Sequence, residues 1–165
     1  MVLIQSEVRV GIADYKIAHA PSKLITVGLG SCIGTIIYAE QAEIGGLSHI
    51  MLPDSHPFAK KQTLNTAKFA DLALPEMVAK LRSEAPRARF KAKIVGGANM
   101  FGFKTSSKTG NIGQRNIEAV EAMLKELRVP LIASHVGGSC GRTMIVDLNN
   151  FETMVRIVHH EAVYI

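Results

Sequence analysis

Short apolar runs separated by polar turns fill the first half of the chain, and this pattern predicts β-strands. β-Branched residues are frequent at 24–27 and 33–39, as is typical of strands. The predicted strands cover residues 8–19, 24–27, 33–39 and 44–52. A glycine-rich corner, Gly28-Leu29-Gly30, follows the second run and marks a sharp change of chain direction.

Helical periodicity appears only in the second half. Apolar residues recur every three or four positions over 66–81, with Pro75 inside the pattern, so we expect a kink or a break there. A second helix is predicted to begin at Asn111, an N-cap residue type, and to end by Pro130. Its apolar face comprises Ile117, Val120, Met123, Leu124 and Leu127. Further strands are predicted at 90–95, 131–136, 143–148 and 151–158, with a turn at Asn149-Asn150.

Many strands and two helices without regular βαβ alternation predict an α+β layered fold. The chain has 165 residues and shows no internal repeat or linker, so we expect a single domain over 1–165. With 47% hydrophobic and 20% charged residues, the composition excludes a disordered chain.

The charge balance is basic but modest, with 19 Lys and Arg against 14 Asp and Glu. Nucleic-acid binding usually requires a denser basic footprint, so we expect none. Arg87, Arg89, Lys91 and Lys93 alternate along one predicted strand face. We expect a solvated or edge-protecting face there; the alternative is a docking surface for an acidic partner.

Nothing in the sequence indicates export or membrane insertion. The first ten residues lack the basic start and apolar run of a signal peptide, and the longest uncharged run, 24–39, is shorter than a membrane span. Two cysteines are too few for a disulfide scaffold. These features predict a soluble cytoplasmic protein with reduced thiols.

Cys32 directly follows the glycine corner and is a candidate nucleophile. The run superficially resembles a dinucleotide fingerprint, but a predicted strand follows it where that fingerprint requires a helix. Glycines at such a corner allow several backbone N–H groups to converge on one oxyanion. The alternative is that Cys32 is a small buried core residue.

A thiol nucleophile needs a base, and strand register points to His49. If 40–43 form a four-residue turn, Ala39 pairs with Ile44 and His49 lies opposite Gly34. Cys32, Gly34 and His49 then share one face, and Gly34 leaves room for a substrate group. A one-residue slip would turn His49 to the other face, so catalysis and core packing both remain open.

The second cysteine, Cys140, is a rival candidate. It also lies in a Gly-Ser-Cys run, and His135 precedes it by five residues. No Cys-x-x-Cys or His-x-x-x-His spacing occurs, so we expect no metal site.

Five motifs, in order and covering nearly the whole chain, give it a resemblance to a known family. They are TVGLGSC at 26–32, GLSHIMLPDS at 46–55, GGANMF at 96–101, NIGQRN at 111–116 and GGSCGR at 137–142. Together they resemble the chemoreceptor glutamine deamidases called CheD. The resemblance implies a three-layer α/β/β sandwich related to toxin-type cysteine deamidases.

The resemblance also assigns residues. It implies a triad of Cys32 as nucleophile, His49 as base and Thr26 as the residue that orients the imidazole. We expect the thiol and imidazole to form an ion pair that lowers the thiol pKa, with amides around Gly30 and Ser31 holding the oxyanion. Cys140 falls at a variable motif position, which favours a bystander role.

The implied activity is hydrolysis of glutamine side-chain amides on cytoplasmic chemoreceptor helices, without cofactor. The phosphatase CheC is the usual partner in organisms that have it. Asn99, Arg115 and Asn116 are candidates for a substrate groove; the alternative is bracing of the helix start. Rival functions are another Cys-His amide hydrolase and a non-enzymatic modulator that binds receptors or CheC.

Overall fold

A computed structural model describes residues 5–60, 63–100 and 111–165. Ten strands form in this part of the chain: β1 Glu7–Arg9, β2 Asp14–His19, β3 Lys23–Leu29, β4 Ile33–Ala39, β5 Ile44–Ile50, β6 Lys91–Gly96, β7 Leu131–Val136, β8 Arg142–Asp147, β9 Thr153–Ile157 and β10 Val163–Tyr164. The helices are α1 Ala70–Glu84 and α2 Ile112–Glu126, and 3-10 turns lie at His56–Phe58 and Thr66–Lys68. Asn111 caps α2 as predicted, since its side chain accepts a hydrogen bond from the Gln114 amide at 3.1 Å.

The strands form two mixed sheets. The first sheet has the order β1-β3-β8-β9-β10, and only its β1–β3 pair is parallel. The second sheet has the order β2-β5-β4-β6-β7, and only its β6–β7 pair is parallel. None of the described helices is long and apolar enough to cross a membrane.

Two apolar clusters define the layers. One lies between the helices and the second sheet and includes Ile37, Leu74, Met77, Ile94 and Val120. The other lies between the two sheets and includes Leu24, Ile36, Leu47, Met144 and Val155. The order is therefore helices, second sheet, first sheet, which confirms the predicted α+β fold and its α/β/β layering.

The predicted hairpin register is confirmed. Ala39 pairs with Ile44, and Gly34 lies opposite His49. The predicted strand over 8–19, in contrast, divides into β1 and β2, which belong to different sheets. The left-handed backbone of Ala13, with φ 58°, reverses the chain between them.

The break predicted at Pro75 is absent, because α1 runs without interruption from Ala70 to Glu84. Proline in a helix interior costs roughly 3 kcal/mol. Six buried side chains of α1 outweigh that cost, since each large apolar one contributes about 1.5–3 kcal/mol. They are Ala70, Ala73, Leu74, Met77, Val78 and Leu81.

The basic stripe is not one solvated face. β6 lies inside the second sheet between β4 and β7, so it protects no edge. Lys93 is buried, and its ammonium donates to the carbonyls of Phe151 at 2.9 Å and Ile165 at 2.6 Å. Burial lowers the pKa of Lys93. Exposed Arg87 and Arg89 line a shallow cleft with Lys91, which pairs with Glu40 at 2.9 Å.

Candidate active site

Cys32 lies in the short connection between β3 and β4, where the chain passes from the first sheet to the second. It is partly buried and packs against the apolar cluster between the sheets. Burial raises the pKa of its thiol, and the smaller opposing effect of its own backbone amide does not cancel that rise. The resting side chain is therefore a neutral thiol at neutral pH.

Backbone hydrogen bonds fix the chain on both sides of Cys32. The Gly97 amide donates to the Cys32 carbonyl at 2.9 Å, and the Ala98 amide donates to the Gly30 carbonyl at 2.8 Å. Gly96 permits this approach, because its φ is +120° and a Cβ there would collide with the Cys32 carbonyl oxygen. The two glycines that begin the GGANMF motif thus let the chain approach the corner closely enough to form hydrogen bonds with it. Phe101 of that motif lies outside the described residues.

Two amides at the corner have no backbone acceptor in the part of the chain that the structure describes. Gly30 already donates its amide to the Gly28 carbonyl at 3.1 Å. Within the described residues, the amides of Ser31 and Cys32 donate to no carbonyl of another residue. Such N–H groups beside a thiol are suited to bind an oxyanion that forms next to the sulfur.

His49 is fully buried on β5 and is held by Thr26 across the sheet interface. The Thr26 hydroxyl lies 2.7 Å from Nδ1 of His49 and also 2.7 Å from the Val10 carbonyl. A carbonyl only accepts, so the hydroxyl proton points to Val10 and the oxygen accepts from Nδ1–H. Nε2 therefore carries the free lone pair, and it has no partner among the described residues.

This geometry gives a neutral base with a fixed tautomer. Burial lowers the pKa of His49 from 6.5 to about 4, so the imidazole stays neutral near pH 7. The expected thiolate–imidazolium pair is therefore wrong for the resting protein. Such a pair requires a lowered thiol pKa and a raised imidazole pKa, and burial shifts each pKa the other way. No hydrogen bond joins Cys32 to His49 in the described structure, because Nδ1 pairs with Thr26 and Nε2 has no partner.

Cys32 and His49 face the same layer, but the space expected at Gly34 is filled. Cys32 packs on the cluster between the sheets, and His49 bonds to Thr26 in that layer. A Cβ on Gly34 would lie 3.0 Å from the sulfur of Met144 and 3.1 Å from Leu29. Gly34 thus permits close packing of the sheets and leaves no room there for a substrate group.

Within the described residues, no side chain is hydrogen-bonded to His135 as Thr26 is to His49, so the rival thiol lacks a histidine oriented in that way. Cys140 is partly buried in the loop after Gly137 and Gly138, beside the Arg142 guanidinium. Burial lowers the pKa of His135, and its Nδ1 has no partner in the described structure. No hydrogen bond between Cys140 and His135 occurs among the described residues.

The three groove candidates differ in position. Arg115 is exposed at the start of α2. Hydrogen bonds from His56 are the main cause of the lowered pKa of Asp54, and the charge of Arg115 contributes least. Asn99 is partly exposed, and its backbone amide donates to the Gly138 carbonyl at 2.9 Å. Asn116 is fully buried and donates from its side chain to the carbonyls of Ser31 at 2.9 Å and Met51 at 3.0 Å.

Sequence reasoning missed the buried Arg142. Its guanidinium donates to the carbonyls of Gly96 at 3.0 Å and Gly137 at 2.6 Å, and so braces the turn that holds the Cys32 carbonyl. The available signal was its place at the end of the GGSCGR motif, where an arginine beside glycines can satisfy exposed turn carbonyls.

Comparison with known proteins shows that the sequence of this chain matches one family. Residues 51–157 match the family described as CheD, chemotactic sensory transduction. A "Probable chemoreceptor glutamine deamidase CheD" of Clostridium botulinum strain Eklund 17B is 48% identical over 154 residues, or 93% of this chain and 94% of the relative. Its counterpart in strain Hall is 50% identical over 153 residues, covering 92% and 93%. The chain belongs to the CheD family.

Proposed function

We propose that this protein is a protein-glutamine glutaminase that converts glutamine side chains of chemoreceptors to glutamate. The observation that carries the proposal is the buried His49, whose Nδ1 is held by Thr26 and whose Nε2 is free in the layer that contains the Cys32 thiol. Membership of the CheD family and relatives named chemoreceptor glutamine deamidase supply the substrate class.

In the first half-reaction, the Cys32 sulfur attacks the carbonyl carbon of the glutamine amide. Since both groups are neutral at rest, the thiol proton passes to Nε2 of His49 as the C–S bond forms. The amides of Ser31 and Cys32 hold the resulting oxyanion; one such donor typically contributes about 10²–10³-fold in rate. The imidazolium then gives its proton to the departing nitrogen, ammonia leaves and a thioester remains.

In the second half-reaction, water replaces ammonia. His49 takes a proton from the water as its oxygen attacks the thioester carbonyl. The tetrahedral intermediate collapses with loss of the Cys32 thiolate, which recovers its proton from the imidazolium. The product is a glutamate side chain, and the enzyme returns to its starting state.

The role of Thr26 is to orient His49 throughout this cycle. Its oxygen accepts a hydrogen bond from Nδ1–H in both the neutral and the charged state of the ring. Because a threonine carries no charge, it stabilises imidazolium less than a carboxylate would. This fits a site in which the charged imidazole is transient and not the resting form.

The test is conversion of a chemoreceptor cytoplasmic fragment, followed by peptide mass spectrometry for the amide-to-acid change. We expect Cys32→Ala to reduce conversion to background and Cys140→Ala to retain it, because the layer that contains Cys32 also contains His49, whose ring is held by Thr26 with Nε2 free. Loss of conversion in Cys140→Ala with retention in Cys32→Ala would overturn the assignment. Chain cleavage or amine incorporation would indicate a different thiol reaction.

Cytoplasmic location and a partnership with the phosphatase CheC belong to the same proposal. Chemoreceptor signalling helices are cytoplasmic, so a deamidase that acts on them works in that compartment. A pull-down from a native cell extract with the Cys32→Ala protein as bait tests the partnership, and recovery of CheC would support it. Cell fractionation tests the location, and recovery of the protein in the cytosolic fraction would support it.

A further inference from the structure

Asn116 is the one groove candidate that the fold buries completely, and its environment explains why. It lies in the second turn of α2 with 0% exposure. Its side-chain nitrogen donates to two carbonyls from distant parts of the chain, those of Ser31 and Met51. Because carbonyls only accept, these contacts also settle which end of the amide is nitrogen.

The two carbonyls belong to the segments that carry the proposed nucleophile and base. Ser31 directly precedes Cys32, and Met51 follows His49 by two residues. The ladder between β4 and β5 ends at the pair Ile33 and Ile50. Beyond that pair, no backbone hydrogen bond joins the two strands among the described residues, and the Asn116 side-chain amide links them there.

The start of α2 is held rigidly against the same corner. A Cβ on Gly113 would lie 2.5 Å from the Ala98 carbonyl oxygen and 2.6 Å from that of Gly97. Only glycine permits so close an approach of helix and backbone. The segment 97–98 in turn donates its amides to the carbonyls of Cys32 and Gly30. The helix is thus fixed relative to the corner on which Asn116 acts.

We propose that Asn116 is a positioning residue that sets the distance and orientation between the Cys32 thiol and the His49 imidazole. Its hydrogen bonds go to the backbone before Cys32, at Ser31, and after His49, at Met51, so it acts on both reacting groups through the backbone. The catalytic part of this inference rests on the proposed deamidase function. A displacement of about 1 Å between reacting groups can cost roughly 100-fold in rate, which sets the scale of the expected effect.

The test uses two variants in a Cys140→Ala background, where Cys32 is the only thiol. Asn116→Ala removes both donors, and Asn116→Asp keeps the shape but replaces the donor with an acceptor. Because the resting thiol is neutral, its alkylation by iodoacetamide near pH 7 needs a base to take the proton, and Nε2 of His49 would be that base. We therefore expect the rate of Cys32 alkylation to fall towards that of His49→Ala in both variants. With a receptor fragment as substrate, we expect kcat to fall by about 100-fold and KM to change little.

A matched control separates positioning from general stability. Val120→Ala, one helical turn further along α2, removes fully buried core volume but no hydrogen bond, because valine has no polar side-chain atom. It should lower the melting temperature yet leave Cys32 alkylation within about twofold of the parent. The same result for Asn116→Ala or Asn116→Asp would overturn the proposal. If both fail to fold, Asn116→Ser, which keeps one donor, decides by the same measurement.

The outcomes also distinguish this inference from the proposed function. Alkylation of Cys32 requires no receptor, so it reports the arrangement of the thiol and imidazole even if no glutamine is converted. A fall in alkylation without any deamidation by the parent protein would support the positioning role and reject the deamidase proposal. Normal deamidation by the parent protein, with unchanged Cys32 alkylation in the Asn116 variants, would support the deamidase proposal and reject the positioning role.

Discussion

The hydroxyl of Thr26 is the residue-scale feature on which the proposed chemistry depends most directly. Thr26→Val keeps the shape but leaves the Nδ1–H of His49 and the Val10 carbonyl without their partner. Each buried polar group left unpaired costs about 1–3 kcal/mol. We expect a lower free energy of unfolding in urea and, because the ring loses its fixed tautomer, a fall in deamidation of about 100-fold or more.

Thr35→Val is the matched control for that substitution. Thr35 is also fully buried, on β4, but its hydroxyl has no partner among the described residues. Replacing that hydroxyl with a methyl group removes an unsatisfied polar atom, so stability should stay equal or rise. Equal losses in both variants would show that the Thr26 hydrogen bonds contribute nothing specific.

Burial of a neutral His49 also predicts how stability depends on pH. The His49 pKa falls from 6.5 in the unfolded chain to about 4 in the folded protein. Between these values the unfolded chain binds a proton that the folded protein does not. Stability is therefore lost as the pH falls through that window, by up to about 1.4 kcal/mol per pH unit.

Comparison with His49→Gln isolates this contribution. Urea unfolding of both proteins between about pH 4.5 and 6.5 should show the wild type losing stability more steeply than the variant as the pH falls. Other groups, such as the exposed His56 whose pKa is raised by Asp54, are common to both proteins and cancel in the difference. Parallel pH profiles would contradict a neutral, buried His49.

At the scale of elements, the sequence pattern correctly predicted the strand register and helix boundary that depend on neighbouring residues alone. A four-residue turn sets the pairing of its two strands, so the position of His49 opposite Gly34 followed from counting. The α2 boundary followed from the Asn111 cap, and its buried face followed from helical spacing. The thiol and base could therefore be assigned to one face before any tertiary contact was known.

Elements were mispredicted where tertiary contacts outweigh local preference. Pro75 favours a break, but burial of α1 on the sheet keeps the helix continuous. The run over 8–19 reads as one strand, since nothing in its apolar pattern shows that its two parts join different sheets. The bridging role of Asn116 was also hidden, because Ser31 and Met51 are far from it in sequence.

At the scale of the whole molecule, Lys93 connects the two sheets. Lys93 lies on β6 of the second sheet, and its ammonium donates to the carbonyls of Phe151 and Ile165. These two residues lie just before β9 and just after β10 of the first sheet. Tyr38 lies beneath the ammonium and stacks on Phe151 at a centroid distance of 4.6 Å. A lysine that the sequence pattern assigns to the surface is thus buried and links the two sheets.

Lys93→Ala should therefore destabilise the protein far more than Lys91→Ala. Hydrogen bonds from a charged donor contribute about 1.5–3 kcal/mol each, and both Lys93 acceptors would lose their partner. Lys91 is half-exposed and pairs only with the exposed Glu40, a contact worth about 1 kcal/mol or less. Urea midpoints at unchanged m-values measure the difference. Similar midpoints for the two variants would mean that the buried ammonium adds nothing to the docking of the sheets, whose stability would then come from their apolar cluster alone.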